Sequence, residues 1–570
     1  MKNRFLNTLQ SRTSAAIIVV ALLSAAALMP QQGACQQPAE RDFTLGRNAE
    51  ILINMLRELS TQYVDKIDAD RLLEYSAEGM VAALDPYTEY LPEEKMSGFE
   101  VMTTGKYGGV GSLIRKKGDY IIFAQPYEGS PADRAGIRIG DKILAIDGAD
   151  AKGFSPDDVS SRLKGDAGSE VSVVVEHMID GRRDTLTLRR ERIVIPSIPY
   201  SGYVADGIGY IQHSDFTEGC YDQLREALER LQRQGELRAL ILDYRSNGGG
   251  IMQEAVKIAS LFLPKGTEIV STMGRDSLSR QIYRTANDPI AADIPLAVLI
   301  NGSTASASEI LAGALQDRDR AVIIGQRSYG KGLVQGTRYL GYNSYLKLTT
   351  AKYYIPSGRC IQAVNYSERD ADGRAGIVPD SLIREYRTDA GRKVYDGGGI
   401  VPDIKLEPNY VSRFALTLYA MGYMEDWADR YMRRHAGEQI DIDTFTIDEE
   451  DYDDFKVFIE EKEVPYESET RRAIAALRQA AKADLYDRTL EEHVAAIEAL
   501  VKDDKQSNLE TYRREIIDAI NAEIVLRYAY QRGVIRHSLT DDQTVGKAVE
   551  VLGDAEQMRH ILTEQDLDKH

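Results

Sequence analysis

Ala297-Val298-Leu299-Ile300-Asn301-Gly302-Ser303-Thr304-Ala305-Ser306-Ala307-Ser308-Glu309 passes from an apolar tetrad, through a glycine-bearing turn, into a run of small residues. The tetrad suits a buried strand, and the spacing beyond it predicts a helix over 305–317. Ala321-Val322-Ile323-Ile324 then repeats the apolar run. Upstream, Ile208-Gly209-Tyr210-Ile211 and Ala239-Leu240-Ile241-Leu242 are runs of the same kind, followed by helical stretches near 217–233 and 251–262. Strands that alternate with helices predict parallel pairing through crossover helices, hence an α/β core.

Three groups in this core could carry chemistry. Ser306 sits where a strand gives way to a helix. A serine there is commonly a cap, and Glu309 three positions on could complete a capping box with it. The small residues on both sides leave the backbone open to a substrate, and the helix N-terminus favours a developing oxyanion. Local sequence leaves both readings standing. The second group is Asp243-Tyr244-Arg245-Ser246-Asn247-Gly248-Gly249-Gly250, which closes the Ala239–Leu242 run. Three consecutive glycines exceed what a turn needs and allow backbone N–H groups to approach a ligand.

The third is Lys331, in Gly325-Gln326-Arg327-Ser328-Tyr329-Gly330-Lys331-Gly332. The stretch nearly spells a phosphate-binding loop, but Gly332 stands where the metal-ligating hydroxyl belongs and no helix pattern follows. A lysine can instead act as a general base once it is neutral, which means lowering a pKa of about 10.4 by burial. No acid lies near Lys331 in sequence, and Tyr329, Leu333 and Val334 flank it. A Ser306–His213–Asp243 triad is the rival arrangement.

Outside the core the pattern changes. Residues 101–195 are β-rich, with Tyr120–Phe123, Lys142–Ile146 and Val171–Val175 as strands and a helix at 156–164. Residues 48–83 and 410–570 read as helical, and a packing or interface role suits the second stretch. At the N-terminus, Lys2, Arg4 and Arg12 precede an uncharged apolar run from Ala15 to Met29, the form of an export signal. The run is short for a spanning helix, which needs about 20 residues. Gly33-Ala34-Cys35 resembles the end of a lipoprotein cleavage box, with Gln32 where an aliphatic residue is preferred. A cleaved signal, a lipid anchor and an uncleaved membrane anchor all place the bulk of the chain on the periplasmic side of the cell envelope.

The formal charge of −19 over 570 residues argues against a nucleic-acid partner, which needs clustered Lys and Arg. Asp448-Glu449-Glu450-Asp451-Tyr452-Asp453-Asp454 reads as solvated surface, lacking the glycine turn of a calcium loop. Of three cysteines, Cys220 and Cys360 could pair in an oxidising compartment. Neither the cysteines nor the seven histidines have metal-ligand spacing, so no metal or other cofactor is expected.

At these residues the sequence resembles the carboxyl-terminal processing (tail-specific) serine proteases. The Asp243–Gly250 stretch is similar to that family's Asp-Leu-Arg-x-Asn-x-Gly-Gly block, Ser303–Ile310 to its Ser-Ala-Ser-Ala-Ser-Glu block, and Tyr329–Gln335 to its Phe-Gly-Lys-Gly-x-Val-Gln block. Ala83-Leu84-Asp85-Pro86-Tyr87-Thr88, Leu348–Arg359 and Gly399–Asp403 also fit. Gly248 and Thr304 depart from the usual proline and alanine. The resemblance implies a multidomain α/β fold: a crotonase/Clp-protease-like ββα core with an inserted PDZ-like β module, plus N- and C-terminal helical regions. The expected boundaries are 1–35 for the signal or anchor, 36–100 helical, 101–195 PDZ-like, 196–405 protease core and 406–570 helical.

The resemblance further implies an endopeptidase with Ser306 as nucleophile, Lys331 as general base and Gln335 orienting the lysine. The N–H groups of Gly249 and Ala307 are expected at the oxyanion. Tyr107-Gly108-Gly109-Val110-Gly111 resembles a PDZ carboxylate-binding loop, so Gly109, Val110 and Gly111, with Val159 and Leu163 on the helix, are expected to hold a substrate's C-terminal tail. Arg190 or Arg192 would link this module to the core. Partners would be proteins or peptides with accessible tails, and the terminal helices offer surfaces for a homodimer. A catalytically inactive PDZ scaffold on a protease-like core is the alternative.

Overall fold

The structure, a computed structural model, describes residues 36–563 except 371, 487, 502 and 503. The export segment read at 1–35, with Cys35, lies outside the described residues. The chain divides into two compact units, one ending at Ala83 and the other beginning at Leu84. In the first are helices Gln36–Gln62 and Ala69–Ala82; the second lies within the stretch 48–83 whose spacing predicted helix, and the first begins twelve residues before it. The Asp68 carboxylate starts the second helix by accepting the N–H groups of Asp70 and Arg71.

The second unit is built on a six-stranded sheet in the order Tyr200–Ala205, Ile208–Gln212, Ala239–Asp243, Leu296–Ile300, Val322–Gly325, Ile404–Lys405. Every pair but the first is parallel, so the α/β core expected from alternating runs is present. Strands this apolar need cover on both faces. On one face Leu224, Leu228, Leu311 and Leu315, from helices Cys220–Gln234 and Ala307–Asp317, pack on Leu240, Leu242 and Val298. The other face is covered from far along the chain: Val545, Ala548 and Val551 of helix Gln543–Gly553 meet Tyr210, Ile241, Leu299 and Ile324. The C-terminal helical region thus completes the core of the α/β sheet.

Register aligns the strand ends. Gln212 pairs with Asp243, Asp243 with Leu299, and Ile300 with Gly325. Gly325 has φ +127, and a Cβ there would stand 2.1 Å from the Ile300 carbonyl oxygen. A second, five-stranded antiparallel sheet has the order Glu89–Leu91, Ser344–Tyr354, Glu268–Met273, Gln281–Arg284, with Leu333–Gly341 also paired to Ser344–Tyr354.

The β-rich module folds as expected, from strands Ser112–Lys117, Tyr120–Pro126, Lys142–Ile146, Glu170–Glu176 and Arg183–Arg189 with helix Pro156–Leu163. Ser155 and Asp158 start that helix with a capping box. Strand Ser112–Lys117 ends the sheet and, among the described residues, is paired along one edge only. Its far end is anchored by Lys117, 2.7 Å from Asp426 and 3.0 Å from Asp429 of helix Tyr423–Arg434. The acidic run at 448–454 opens helix Glu449–Glu460. There Asp448 accepts the Asp451 N–H, negative charge complements the helix N-terminus, and Tyr452 points into the core. Cys220 and Cys360 are both free thiols.

Candidate active site

Loops leave the carboxyl edge of the parallel strands side by side, where sheets of this kind bind ligands. The loop after Ala239–Asp243 is pinned by the buried Asp243 carboxylate, which accepts from the Tyr210 hydroxyl (2.7 Å), the Arg245 N–H (2.9 Å) and the Arg245 guanidinium (2.6 Å). The Arg245 guanidinium also meets Asp542, 2.7 Å away at the start of helix Gln543–Gly553. Asn247 shapes the glycines that follow. Its Oδ1 accepts the Gly249 N–H at 2.9 Å, and its Nδ2 donates to the His213 carbonyl at 2.7 Å. Gly249 has φ +98, and a Cβ on it would lie 2.7 Å from Ser306 Cβ and 2.9 Å from Ala307 N. Only glycine lets this loop press so closely on Ser306.

The loop after Leu296–Ile300 is laced to it. Thr304 Oγ1 donates to the Tyr244 carbonyl (2.9 Å), and the Ala305 N–H and Ser308 Oγ both donate to the Asn247 carbonyl (3.0 Å each). Ser306, at φ 57 and ψ −117, lies outside the regions ordinary residues occupy. Such strain costs about 1–3 kcal/mol, and a strained strand-to-helix turn of this kind projects a nucleophilic side chain. Helix Ala307–Asp317 begins at the next residue. The Ala307 N–H has no protein acceptor among the described residues.

The loop after Val322–Gly325 carries Lys331, and Glu309 joins it to Ser306. The Glu309 side chain is fully buried. One oxygen accepts the N–H groups of Ser306 (2.8 Å) and Lys331 (2.9 Å); the other accepts the Ser328 hydroxyl (2.5 Å) and the Gly330 N–H (2.7 Å). Burial pushes its pKa up to about 7, against the pull of those four donors. With donors on both oxygens, the ionised form is the one the geometry serves. The carboxylate read from the sequence as a cap therefore ties the backbones of Ser306 and Lys331 together. The Tyr353 hydroxyl adds a second tie, lying between the carbonyl oxygens of Ser306 (3.2 Å) and Lys331.

The Lys331 amine rests over the ring of Tyr87, 4.3 Å from its centroid. Burial above all, and then the charge of Lys347, bring its pKa down to about 8, opposed by Glu309 and Asp85. Among the described residues it makes no hydrogen bond to Ser306 Oγ or to Gln335. Gln335 lies opposite Thr349 in the antiparallel sheet and donates to its Oγ1 at 3.1 Å. His213 is fully buried, its ring centroid 4.4 Å from that of Phe216 and its Nδ1 3.2 Å from the Tyr244 hydroxyl. Burial takes its pKa down to about 3. With the Asp243 carboxylate engaged elsewhere, the Ser306–His213–Asp243 triad does not form.

Of the two amides expected at the oxyanion, the Ala307 N–H is open, whereas the Gly249 N–H is turned to Asn247. The reason is local: an asparagine side chain readily closes a turn on the N–H two residues later. Glu309 was visible in the sequence only as a cap. Tyr87 and Tyr353 lie in stretches that fit the family, but their contacts with Lys331 and Ser306 come from distant segments and have no signal in the sequence.

In the β-rich module a small cleft of about 40 Å³ runs between the open edge of Ser112–Lys117 and helix Pro156–Leu163. Tyr107, Val110, Gly111, Ile114, Leu163 and Lys164 line it. Val110 and Gly111 have N–H groups without protein acceptors among the described residues. Gly109 pairs with Glu191 where the chain enters and leaves the module. Val159, expected at the cleft, is instead fully buried in the module's core, because Ser160, Leu163 and Lys164 share the outward helix face. Arg190 stays within the module. Its guanidinium donates to the carbonyls of Arg162 (2.7 Å) and Leu163 (3.2 Å) and so caps the helix.

Comparison with known proteins agrees with this architecture. The model for peptidase family S41 matches residues 207–383, that for a PDZ domain 122–177, and that for a probable PDZ-protease C-terminal helical domain 414–552. The chain is 35% identical over 335 residues to a carboxy-terminal-processing protease of Bartonella bacilliformis, covering 58% of this chain and 74% of that protein. It is 32% identical over 388 residues to a probable CtpA-like serine protease of Staphylococcus aureus, covering 66% of this chain and 73% of that protein. Among solved structures, the photosystem II D1 C-terminal processing protease is similar at 29% identity and a TM-score of 0.34, over 63% of this chain and 93% of that one. Among the described residues no helix is long and apolar enough to cross a membrane.

Proposed function

The chain belongs to the carboxy-terminal-processing proteases, serine peptidases of family S41 with a PDZ domain, and from that premise we propose that it cleaves with a Ser306–Lys331 dyad and grips substrate tails in the PDZ cleft. The observation that carries the dyad is the single Glu309 oxygen on which the backbones of Ser306 and Lys331 meet. Lys331 is flexible beyond its Cβ, and catalytic hydrogen bonds often tighten only when substrate is bound. As a neutral amine it takes the Ser306 proton while Oγ attacks the peptide carbonyl; the ammonium then protonates the leaving amine, and water hydrolyses the acyl-enzyme. The Ala307 N–H meets the oxyanion at the helix start. Gly249, with its N–H on Asn247, supplies close approach, and joins as a second donor if that turn opens. Gln335 keeps its carbonyl oxygen for the lysine amine.

The base must be deprotonated to act, so kcat/KM is expected to fall as pH drops through about 8, the value to which burial lowers Lys331. A histidine base with the pKa of His213, about 3, would place that limb far lower. The pH profile of peptide cleavage, measured beside Lys331→Ala, tests the assignment. A Lys331→Ala protein with wild-type kcat, or an acid limb near that of His213, would remove the lysine from the mechanism.

Tail recognition is proposed on the open N–H groups of Val110 and Gly111, the unpaired edge of Ser112–Lys117, and Lys164 at the rim. A terminal carboxylate accepts from the amides while the peptide adds as a strand. Hydrogen bonds to a charged group contribute about 1.5–3 kcal/mol, so amidating the C-terminus of a peptide should weaken its binding by roughly 10- to 100-fold. Fluorescence anisotropy with the free-acid and amidated forms reads this; equal affinity would rule out carboxylate capture. Proteins or peptides are the substrates on this reading. An envelope location, a membrane or lipid anchor and a homodimer through the terminal helices remain parts of the same proposal, resting on the sequence of residues 1–35 and the helical segments.

A further inference from the structure

The block Leu84-Asp85-Pro86-Tyr87-Thr88 has no part in the dyad as described, yet it forms a wall of the site. Asp85 is buried, and its Oδ1 accepts the N–H groups of Tyr87 and Thr88 (2.8 Å each) while its Oδ2 accepts the Thr88 hydroxyl (3.0 Å). Thr88 Oγ1 in turn accepts the Thr349 N–H (3.2 Å), which docks the turn on the strand that Gln335 faces. This rigid turn delivers one aromatic ring to the Lys331 amine. Tyr87 is itself half-buried and packs edge-on to Tyr366, ring centroids 6.1 Å apart. Its hydroxyl lies near those of Tyr329 and Tyr366 without a hydrogen bond in good geometry, so the ring is the working part of the side chain.

We infer that Tyr87 is a positioning residue for Lys331: its ring face holds the amine 4.3 Å from the centroid and shields it from water at the site of proton transfer. The inference rests on the dyad reading and extends it. Two effects of the ring oppose each other. The π-face favours the ammonium, while the bulk that excludes water disfavours it. The charged and titratable groups around the amine are Lys347 from the antiparallel sheet, Glu309 from the helix and Asp85 from the turn, with the Tyr353 hydroxyl on the Lys331 carbonyl. Substitutions at Tyr87 leave all of these in place, so they isolate the ring.

The test is the acid limb of kcat/KM against pH on a short peptide substrate, with the full-length protein. Tyr87→Leu keeps bulk but removes the π-face, and should move the limb down by about 0.5–1.5 pH units. Tyr87→Ala admits water and should move it up, towards the value of an ordinary lysine. Tyr87→Phe keeps the ring and should restore the wild-type limb. Thermal unfolding of the three variants separates this from a loss of fold, and Tyr87→Leu with Tyr87→Phe suffices if Tyr87→Ala fails to fold. A limb that stays fixed in Tyr87→Leu, with activity lost only in step with stability, overturns the inference while leaving the dyad intact. A Lys331→Ala protein that retains full activity overturns the dyad itself.

Discussion

Ser306→Ala is expected to lower kcat on a tail-bearing peptide by about 10⁴-fold or more, with little change in unfolding temperature. The loss is large because neither neighbouring serine is placed to replace Ser306 in forming the acyl-enzyme. Ser303 and Ser308 are close in sequence, but Ser308 is buried with its hydroxyl on the Asn247 carbonyl, and Ser303 is exposed on the turn before the helix. Stability should hold because alanine keeps the Cβ that makes φ 57 strained, and the Glu309 contact runs to the backbone N–H, which the substitution leaves untouched. Steady-state cleavage and thermal unfolding on the same preparation check both halves. Cleavage at the wild-type rate would end the assignment of Ser306 as the nucleophile.

Glu309→Gln carries the second large effect, and here both activity and stability should fall. The carboxylate faces four donors on two oxygens. An amide offers one oxygen and one NH₂, so in either orientation two donors meet an N–H group. A buried donor without an acceptor costs about 1–3 kcal/mol, so two put the loss at roughly 2–6 kcal/mol. Whichever pair is orphaned, a loop moves: Ser306 against Lys331, or Ser328 with Gly330. A misplacement of about 1 Å can lower a rate about 10²-fold, so kcat should drop by at least that factor in the fraction that remains folded. Denaturant titration gives the first number and cleavage kinetics the second. Wild-type stability together with wild-type kcat would show that the shared carboxylate does not hold the two loops.

The Arg245 guanidinium illustrates how far a helical tail reaches into this site. It contacts Asp243 at the end of one core strand and Asp542 at the start of helix Gln543–Gly553. That helix buries Val545 and Val551 on the sheet, so removing the tail would expose an apolar face of the central strands. The helical periodicity of 410–570 was plain in the sequence. Its destination was not, because an apolar stripe states that a helix must be covered and leaves open by what.

Periodicity and local chemistry sufficed for the parallel core, the β-rich module and the terminal helices, while the PDZ-like reading of that module came from its resemblance to the family: strands and helices depend on neighbours a few residues apart, and burial of alternating or helical stripes leaves few other solutions. Reactive residue types at Ser306 and Lys331, set among small residues and glycines, were equally open to reading in one dimension. Packing across long sequence separations settled the rest. It sent Val159 inward, turned the Gly249 N–H to Asn247, laid Lys331 on Tyr87 and turned the His213 ring to the Tyr244 hydroxyl rather than to the Asp243 carboxylate. A carboxylate such as Glu309 looks the same in sequence whether it caps one helix or ties two loops. What distinguishes the roles is which donors arrive around it, and those come from segments that meet only once the sheet has assembled.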